Sequence, residues 1–281
     1  MKNYSYLFPG GRTKALTFSY DDGVIADRRL IEIFRENGLK GTFNLNGASL
    51  CADKVSCWAR YPQTRVRHVD AAEVPEIYEG MEVAGHGLQH LCMEDLNDTE
   101  ITDEVHRDRT KLEAVTGYPV KGYAYAFGRY NARVVERLRG MGVAYARTVV
   151  PTHGFGLPAE FLTWHPTVHH DDEQILPLTD RFLGLPDDSG FSLFYIWGHS
   201  YEFEAKNNWE HMEDVCRRLG NRDEIWYAAN IEVYDYVQSL KGLRTSADGN
   251  LIQNLSCTDV WLLKTETKEK ICVPAGKLVR L

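Results

Sequence analysis

Lys14-Ala15-Leu16-Thr17-Phe18-Ser19-Tyr20-Asp21-Asp22-Gly23 is an apolar run that stops at two adjacent carboxylates and a glycine. Lys14 to Tyr20 carries β-branched and aromatic residues and neither Pro nor Gly, which predicts a strand. Two neighbouring ionised aspartates repel, so a fold seldom sets both in one cleft without a cation or a shared proton. A metal or proton-transfer site is one reading of the pair, and an ordinary Asp-Asp-Gly turn is the other.

Outward from this strand, residues 14 to about 240 alternate short apolar runs with longer amphipathic ones. Further strands are predicted at Gly41–Asn46, Met81–Ala84, Gly122–Ala126, Tyr145–Thr148, Leu162–His165, Phe191–Trp197 and Ile225–Ala229. Between them, Asp27 to Asn37 reads as a helix with Leu30, Ile31 and Phe34 on its apolar face and Gly38 as its stop. Asn97 with Glu100 forms a capping-box pattern for a helix to about Val115, and Asn131 caps another ending near Gly140. Cys216 and Leu219 lie on a further helix, and Ile231 to Leu240 forms the last. Such alternation predicts an α/β fold whose parallel sheet closes into a barrel of about seven or eight units, with its chemistry at the carboxyl ends of the strands. Residues 1–241 are assigned to this barrel. Residues 242–281 break into short β-like runs split by turns, an antiparallel β appendage of about 40 residues that is too small to stand alone. It is expected to pack on the barrel or on a neighbouring subunit, giving a route to a homo-oligomer.

The 281 residues are 43% hydrophobic and 26% charged, with a formal charge of −8. That balance fits a globular protein and argues against a nucleic-acid partner. The amino terminus has no unbroken apolar signal core, and no stretch approaches the roughly 20 apolar residues of a membrane span. With six scattered cysteines and no C-x-x-C pair, the expectation is a cytoplasmic protein with reduced thiols, a bridge between Cys257 and Cys272 in two neighbouring candidate strands being the alternative.

His86-Gly87-Leu88-Gln89-His90 follows the third predicted strand. An i, i+4 pair on a helical turn puts both imidazoles on one face, at a spacing suited to one metal ion. A catalytic zinc takes three protein ligands and keeps a position open, and Asp21 or Asp22 would complete the set. His199 directly follows the strand Phe191–Trp197 on the same barrel face, where it can donate a proton to a leaving group. Glu202, three residues on, is placed to bond a neighbouring imidazole and fix its tautomer. His165, His169, His170, Asp171 and Asp172 read either as a second metal cluster or as a polar loop entering a helix capped by Asp171. Asn44 and Asn46 are weaker candidates for substrate contact.

Taken in order, Thr17-Phe18…Asp21-Asp22-Gly23, His86-x-x-x-His90 and the strand-terminal His199 resemble the polysaccharide deacetylase family (carbohydrate esterase family 4, NodB-homology domain). The resemblance covers roughly residues 14 to 240 and implies a distorted (β/α)7-type barrel. It assigns Asp21 as general base, Asp22, His86 and His90 as metal ligands, and His199 as general acid. It further implies one divalent metal, Zn2+ first with Co2+, Fe2+ or Ni2+ as alternatives, and an N-acetylated carbohydrate substrate. The run Gly122-Tyr123-Ala124-Tyr125-Ala126-Phe127-Gly128 departs from the family's Arg-x-Pro-Pro-Tyr-like segment, with Ala124 in the usual Arg position. Something else must then orient Asp21, and Arg147 is the candidate. Ser19-Tyr20 also departs, setting a bulky phenol before the aspartates. Tyr125, Phe127, Arg147, Trp164, Trp197 and Tyr201 are assigned to the substrate wall, with ordinary barrel packing as the other reading of the aromatics. The resulting expectation is a metal-dependent hydrolase removing N-acetyl groups from an amino sugar or its oligomer. The alternatives are a small amide or cyclic-imide hydrolase of the allantoinase-like branch, and an inactive metal-binding carbohydrate-recognition module.

Overall fold

The computed structural model describes residues 3–187 and 190–281. Eight parallel strands form its central sheet: β1 Lys14–Asp21, β2 Thr42–Leu45, β3 Glu82–Gly85, β4 Gly122–Ala124, β5 Tyr145–Arg147, β6 Val168–His169, β7 Ser192–Gly198 and β8 Ile225–Tyr227. Their order is β5-β4-β3-β2-β1-β7-β6, with β8 paired to the first half of β1. The sheet curls into a distorted barrel. Beyond its edge β5 lies one isolated parallel bridge, Arg147 to Trp164. The strand expected at Leu162–His165 is replaced there by a 3-10 turn, Phe161–Thr163. Its cause is local: the Glu160 carboxylate accepts the Leu162 N–H at 2.9 Å and coils the chain before it can pair.

Strand β1 is buried along its whole length, as the central strand of a covered parallel sheet must be. Its side chains alternate. Phe18 and Tyr20 point into the helical layer, where Phe34 of helix Asp27–Glu36 packs at 4.5 Å ring-centroid distance from Phe18. Ser19 and Asp21 point the other way, toward the barrel axis. Tyr20 therefore does not crowd the cleft; its hydroxyl meets Met212 Sδ and its ring lies among Phe34, Phe43 and Phe203. The long helix Asp98–Thr116 opens on the Asn97–Glu100 capping box read from the sequence, and Asn131 accepts the Val134 N–H to open Ala132–Gly140. The helix Ile175–Leu183, by contrast, begins without a side-chain cap, and Asp171 lies outside it.

Two small antiparallel sheets flank the last helix, Asn230–Leu240. One joins Leu243–Thr245, Leu251–Asn254 and Leu278–Arg280; the other joins Val260–Lys264 and Lys270–Val273 to the amino-terminal strand Tyr4–Leu7. That first strand was missed in the sequence. Tyr236 ties the layers together, donating its hydroxyl to the Leu7 carbonyl and accepting the Trp261 N–H. A separate hairpin, Val55–Trp58 with Tyr61–Arg67, rises beside the carboxyl end of the barrel. It too was missed in the sequence. All six cysteines are free, Cys257 and Cys272 included, and no helix among the described residues is long and apolar enough to cross a membrane.

Glu82 opens β3 as a buried carboxyl whose partners are the Thr42 hydroxyl, the Tyr145 hydroxyl and the Ile231 N–H, at 2.8 to 2.9 Å. Burial raises it from 4.5 to about 7, against the lowering effect of those hydrogen bonds. A carboxyl held protonated more tightly folded than unfolded stabilises the fold fully below about 4.5, and that contribution fades as pH rises through about 7. Glu82→Gln should remove a decline on the order of 3 kcal/mol across that window. Urea denaturation at both ends of the range measures it; parallel curves for variant and wild type would assign the decline elsewhere.

Candidate active site

The carboxyl ends of the strands open into a cleft of about 450 Å³. Asp21 ends β1 there, and the backbone turns immediately: Asp22 has φ 81, a left-handed conformation that Asp tolerates better than bulky residues. The turn points the two carboxylates to different partners. Asp21 Oδ1 accepts from Asn44 Nδ2 at 2.8 Å and Oδ2 from the Arg147 guanidinium. Asp22 Oδ1 lies 3.7 Å from His86 Nε2 and 3.7 Å from His90 Nε2.

His86 and His90 do not lie on a helical turn as the spacing predicted. They sit on a loop after β3, in which Gly87 has φ 86 and His90 φ 59. Gly87 makes the first reversal without a Cβ penalty. Two carboxylates from one face of helix Asp98–Thr116 hold the loop: Asp108 accepts the N–H groups of His86, Gly87 and Gly47, and Glu104 accepts that of Gln89. Asn46 secures it from below, donating to the carbonyls of His86 and Gly87.

His86 Nδ1 lies 2.9 Å from the Ala124 carbonyl. A carbonyl only accepts, so Nδ1 carries a proton and Nε2 is the ring atom turned toward Asp22. Burial, with His86 beside it, lowers His90 to about 4 and keeps it neutral. Donor atoms of Asp22, His86 and His90 all lie within 4.8 Å of one another. Tetrahedral coordination at zinc-ligand distances would separate such atoms by about 3.4 Å, close to the observed 3.7 Å. The donor set fits one divalent ion.

Burial alone would raise Asp21, but Arg147, His86 and His199 outweigh it and hold the carboxyl at about 2. His199 Nε2 stands 3.9 Å from Asp21 Oδ2. Its Nδ1 lies 3.4 Å from Glu202 Oε2, which also has His170 Nε2 at 3.1 Å and His169 Nε2 at 3.2 Å. Burial pushes His199 down, yet Glu202, Asp22 and Asp21 carry it up to about 9. Glu202 itself would be raised by burial, but the three imidazoles drive it well below the carboxylate range.

His169, His170, Asp171 and Glu202 also gather within metal-ligand distance. Part of their bonding is already taken up. His169 Nδ1 accepts the Asp171 N–H, which leaves the proton on Nε2, and Asp171 pairs with Lys206. The group packs as a charged brace under His199, in which the ring nitrogens of His170 form no hydrogen bond.

The wall differs from the sequence reading. Tyr125, Phe127, Trp197 and Tyr201 line the cleft, whereas Trp164 and Arg147 do not. Trp164 is packed between Tyr145, Phe161 and Tyr195 as part of the core. Arg147 is fully buried and spends its charge on Asp21, with Trp197 over its guanidinium at 4.4 Å. Asn44 and Asn46 are likewise buried, supporting Asp21 and the histidine loop instead of meeting substrate. The sequence reading missed Trp58 and Arg60 of the hairpin, Val149, and the clamp of Glu104 and Asp108. Only the i, i+4 placement of those two acids on one helix face could have drawn notice.

Residues 9–146 match the family model of the polysaccharide deacetylases. Over that segment the chain is similar to the polysaccharide deacetylase family. The matched segment contains Asp21, Asp22, His86 and His90; His199 lies beyond it. A Mycobacterium smegmatis protein assigned to the polysaccharide deacetylases superposes with TM-score 0.58 at 18% identity, over 86% of this chain and 96% of its own. The Xyl-CE4 domain of a multidomain xylanase from the hindgut metagenome of Trinervitermes trinervoides gives TM-score 0.51 at 14% identity, over 80% and 92%. Both share the deacetylase fold. No curated protein sequence matches the chain.

Removing one partner of a buried ion pair strands the other charge, at a cost of about 3–5 kcal/mol. Arg147→Met should lose stability on that scale in urea denaturation and raise the Asp21 carboxyl from its depressed value, as read by carbon NMR titration. Adding Asp21→Asn should recover much of the loss. An unchanged Asp21 titration in the single variant would separate Arg147 from the carboxylate.

Proposed function

We propose that this protein is a metal-dependent hydrolase that releases acetate from the N-acetyl group of an amino sugar or its oligomer. The observation that supports the reading best is the convergence of five groups at the strand ends: Asp21, Asp22, His86, His90 and His199, linked by separations of 3.7 to 3.9 Å. Asp22, His86 and His90 hold the ion, with Zn2+ the first choice for two imidazoles and a carboxylate. When bound, that ion supplies Lewis acidity, activating water and polarising the acyl oxygen.

Asp21 takes the proton of the attacking water. Its low pKa makes it a modest base, so its value lies in position: Asn44 fixes one oxygen and Arg147 the other, leaving little freedom to lose on reaction. His199 donates the second proton. Glu202 stands 3.4 Å from Nδ1 and accepts the His199 backbone N–H, a charged neighbour that leaves Nε2 to face the cleft and the departing nitrogen. The C–O bond forms, the C–N bond breaks, and the amine leaves with the proton from His199. Without that proton an amide nitrogen is a very poor leaving group, so the acid is as necessary as the base.

Acetate release from N-acetyl chitooligosaccharides should vanish with a chelator and return with a divalent ion. Asp21→Asn should bind zinc normally while kcat falls by about 10²–10⁴. Calorimetric metal titration beside the acetate assay checks both. Lost zinc binding in this variant would reverse the roles given to the two aspartates, and acetate release untouched by chelation would remove the metal from the reaction.

A further inference from the structure

We propose that the hairpin Val55–Arg67 selects substrates bearing an anionic group, carboxylate or sulfate, through Arg60, on the sugar unit next to the one deacetylated. The hairpin forms its own two-stranded sheet, apart from the barrel sheet, and carries Ala59 and Arg60 at its turn. From there Trp58 and Arg60 enter the lining of the cleft. Trp58 lies flat on Tyr201, with ring centroids 3.6 Å apart and an interplanar angle of 9°. Tyr201 in turn stands 5.1 Å from the His199 ring. The hairpin is thus docked on the proton-donor side. On the deacetylase reading, on which this inference rests, that is where the departing amino sugar lies.

Arg60 and Arg65 of the hairpin are both without an acidic partner among the described residues, and of the two Arg60 lines the cleft. Arg28 is neutralised by Glu76, Arg29 by Glu213 and Arg67 by Glu73. Arg60 has no carboxylate partner among the described residues; its guanidinium rests at 5.5 Å from the Tyr61 ring. Arg147, beneath the cleft, is spent on Asp21 and closed to solvent. Arg60 is therefore the one arginine or lysine lining the cleft among the described residues, and it is exposed. A guanidinium presents a planar fork of donors that matches carboxylate and sulfate oxygens. Trp58 beside it offers a flat apolar face for a sugar ring. Together they can hold one acidic sugar unit, ring on Trp58 and charge on Arg60, one step out from the reacting amide.

The test uses the full-length zinc-loaded chain and three oligosaccharides of one length: N-acetyl chitooligosaccharide, its 6-O-sulfated form, and an oligomer alternating N-acetylglucosamine with glucuronate. Wild type should favour an anionic oligomer in kcat/KM by about tenfold, a preference residing in KM, and Arg60→Ala should erase it while Arg60→Lys keeps part. Whichever anionic oligomer is preferred identifies carboxylate or sulfate. Equal kcat/KM on neutral and anionic oligomers, or a preference that survives Arg60→Ala, overturns the inference. Calorimetric binding to Asp21→Asn keeps the two readings apart. If no oligomer yields acetate but anionic ones bind more tightly and Arg60→Ala levels them, the anion site stands and the deacetylase reading falls.

Discussion

Two carboxylates on consecutive residues, both buried at the end of one strand, repel each other and lose their hydration together, so each needs its own compensation. The backbone separates them first. With φ 81 at Asp22, the second carboxylate turns away from the first, toward His86 and His90, while Asp21 keeps the strand direction and meets Arg147 and Asn44. Much of the site serves this division. Arg147 is buried against Asp21, Trp197 covers its guanidinium, and the histidine loop is clamped so that its imidazoles face Asp22.

The other buried carboxyls show what happens without a cation. Asp27, Glu82 and Asp108 are satisfied by hydroxyls and backbone N–H groups, and burial raises each to about 7. Asp21 is as deeply buried, yet sits at about 2. The difference is chiefly one guanidinium. Neutral donors are enough to bury a carboxyl, but they do not keep it ionised. A base that must be charged before water arrives needs the ion pair, whereas Asp108 needs only acceptor oxygens to gather the amides of His86, Gly87 and Gly47.

What the sequence made legible was what repeats or adjoins. Strand β1 could be read because its apolar run is uninterrupted, the helices because their caps are local, and the likeness to the deacetylase family because its motifs are short and ordered. The cleft-facing groups Asp21, Asp22, His86, His90 and His199 each follow a strand, so topology alone gathers them on one barrel face. The loop carrying the histidines was read as a helical turn because i, i+4 spacing does not distinguish a helix from a loop reversed at Gly87 and His90. Arg147 could be suspected once Ala124 was seen to lack a guanidinium, but whether it lay in the wall or beneath it depended on burial. Asp108, Glu104 and the hairpin escaped because their effect lies in contacts between elements far apart in the chain, which no local pattern encodes.

Tyr20, the odd residue before the aspartates, shows how one strand supports both halves of the chemistry. Because β1 alternates, Asp21 faces the cleft and Tyr20 faces outward, where its ring stacks on His170 at 5.7 Å and 12°. His170 lies 3.1 Å from Glu202, and Glu202 stands 3.4 Å from His199 Nδ1. The neighbouring strand leaves room for this brace: Gly198 pairs with Tyr20, and a Cβ at Gly198 would lie 2.0 Å from His170 Nδ1. Only glycine admits an imidazole so close. The phenol is thus part of the support beneath the proton donor, and a smaller residue at position 20 would leave His170, and through it Glu202, without a fixed seat. Base and acid are set by opposite faces of the same strand, which ties their separation to the pleat rather than to any loop.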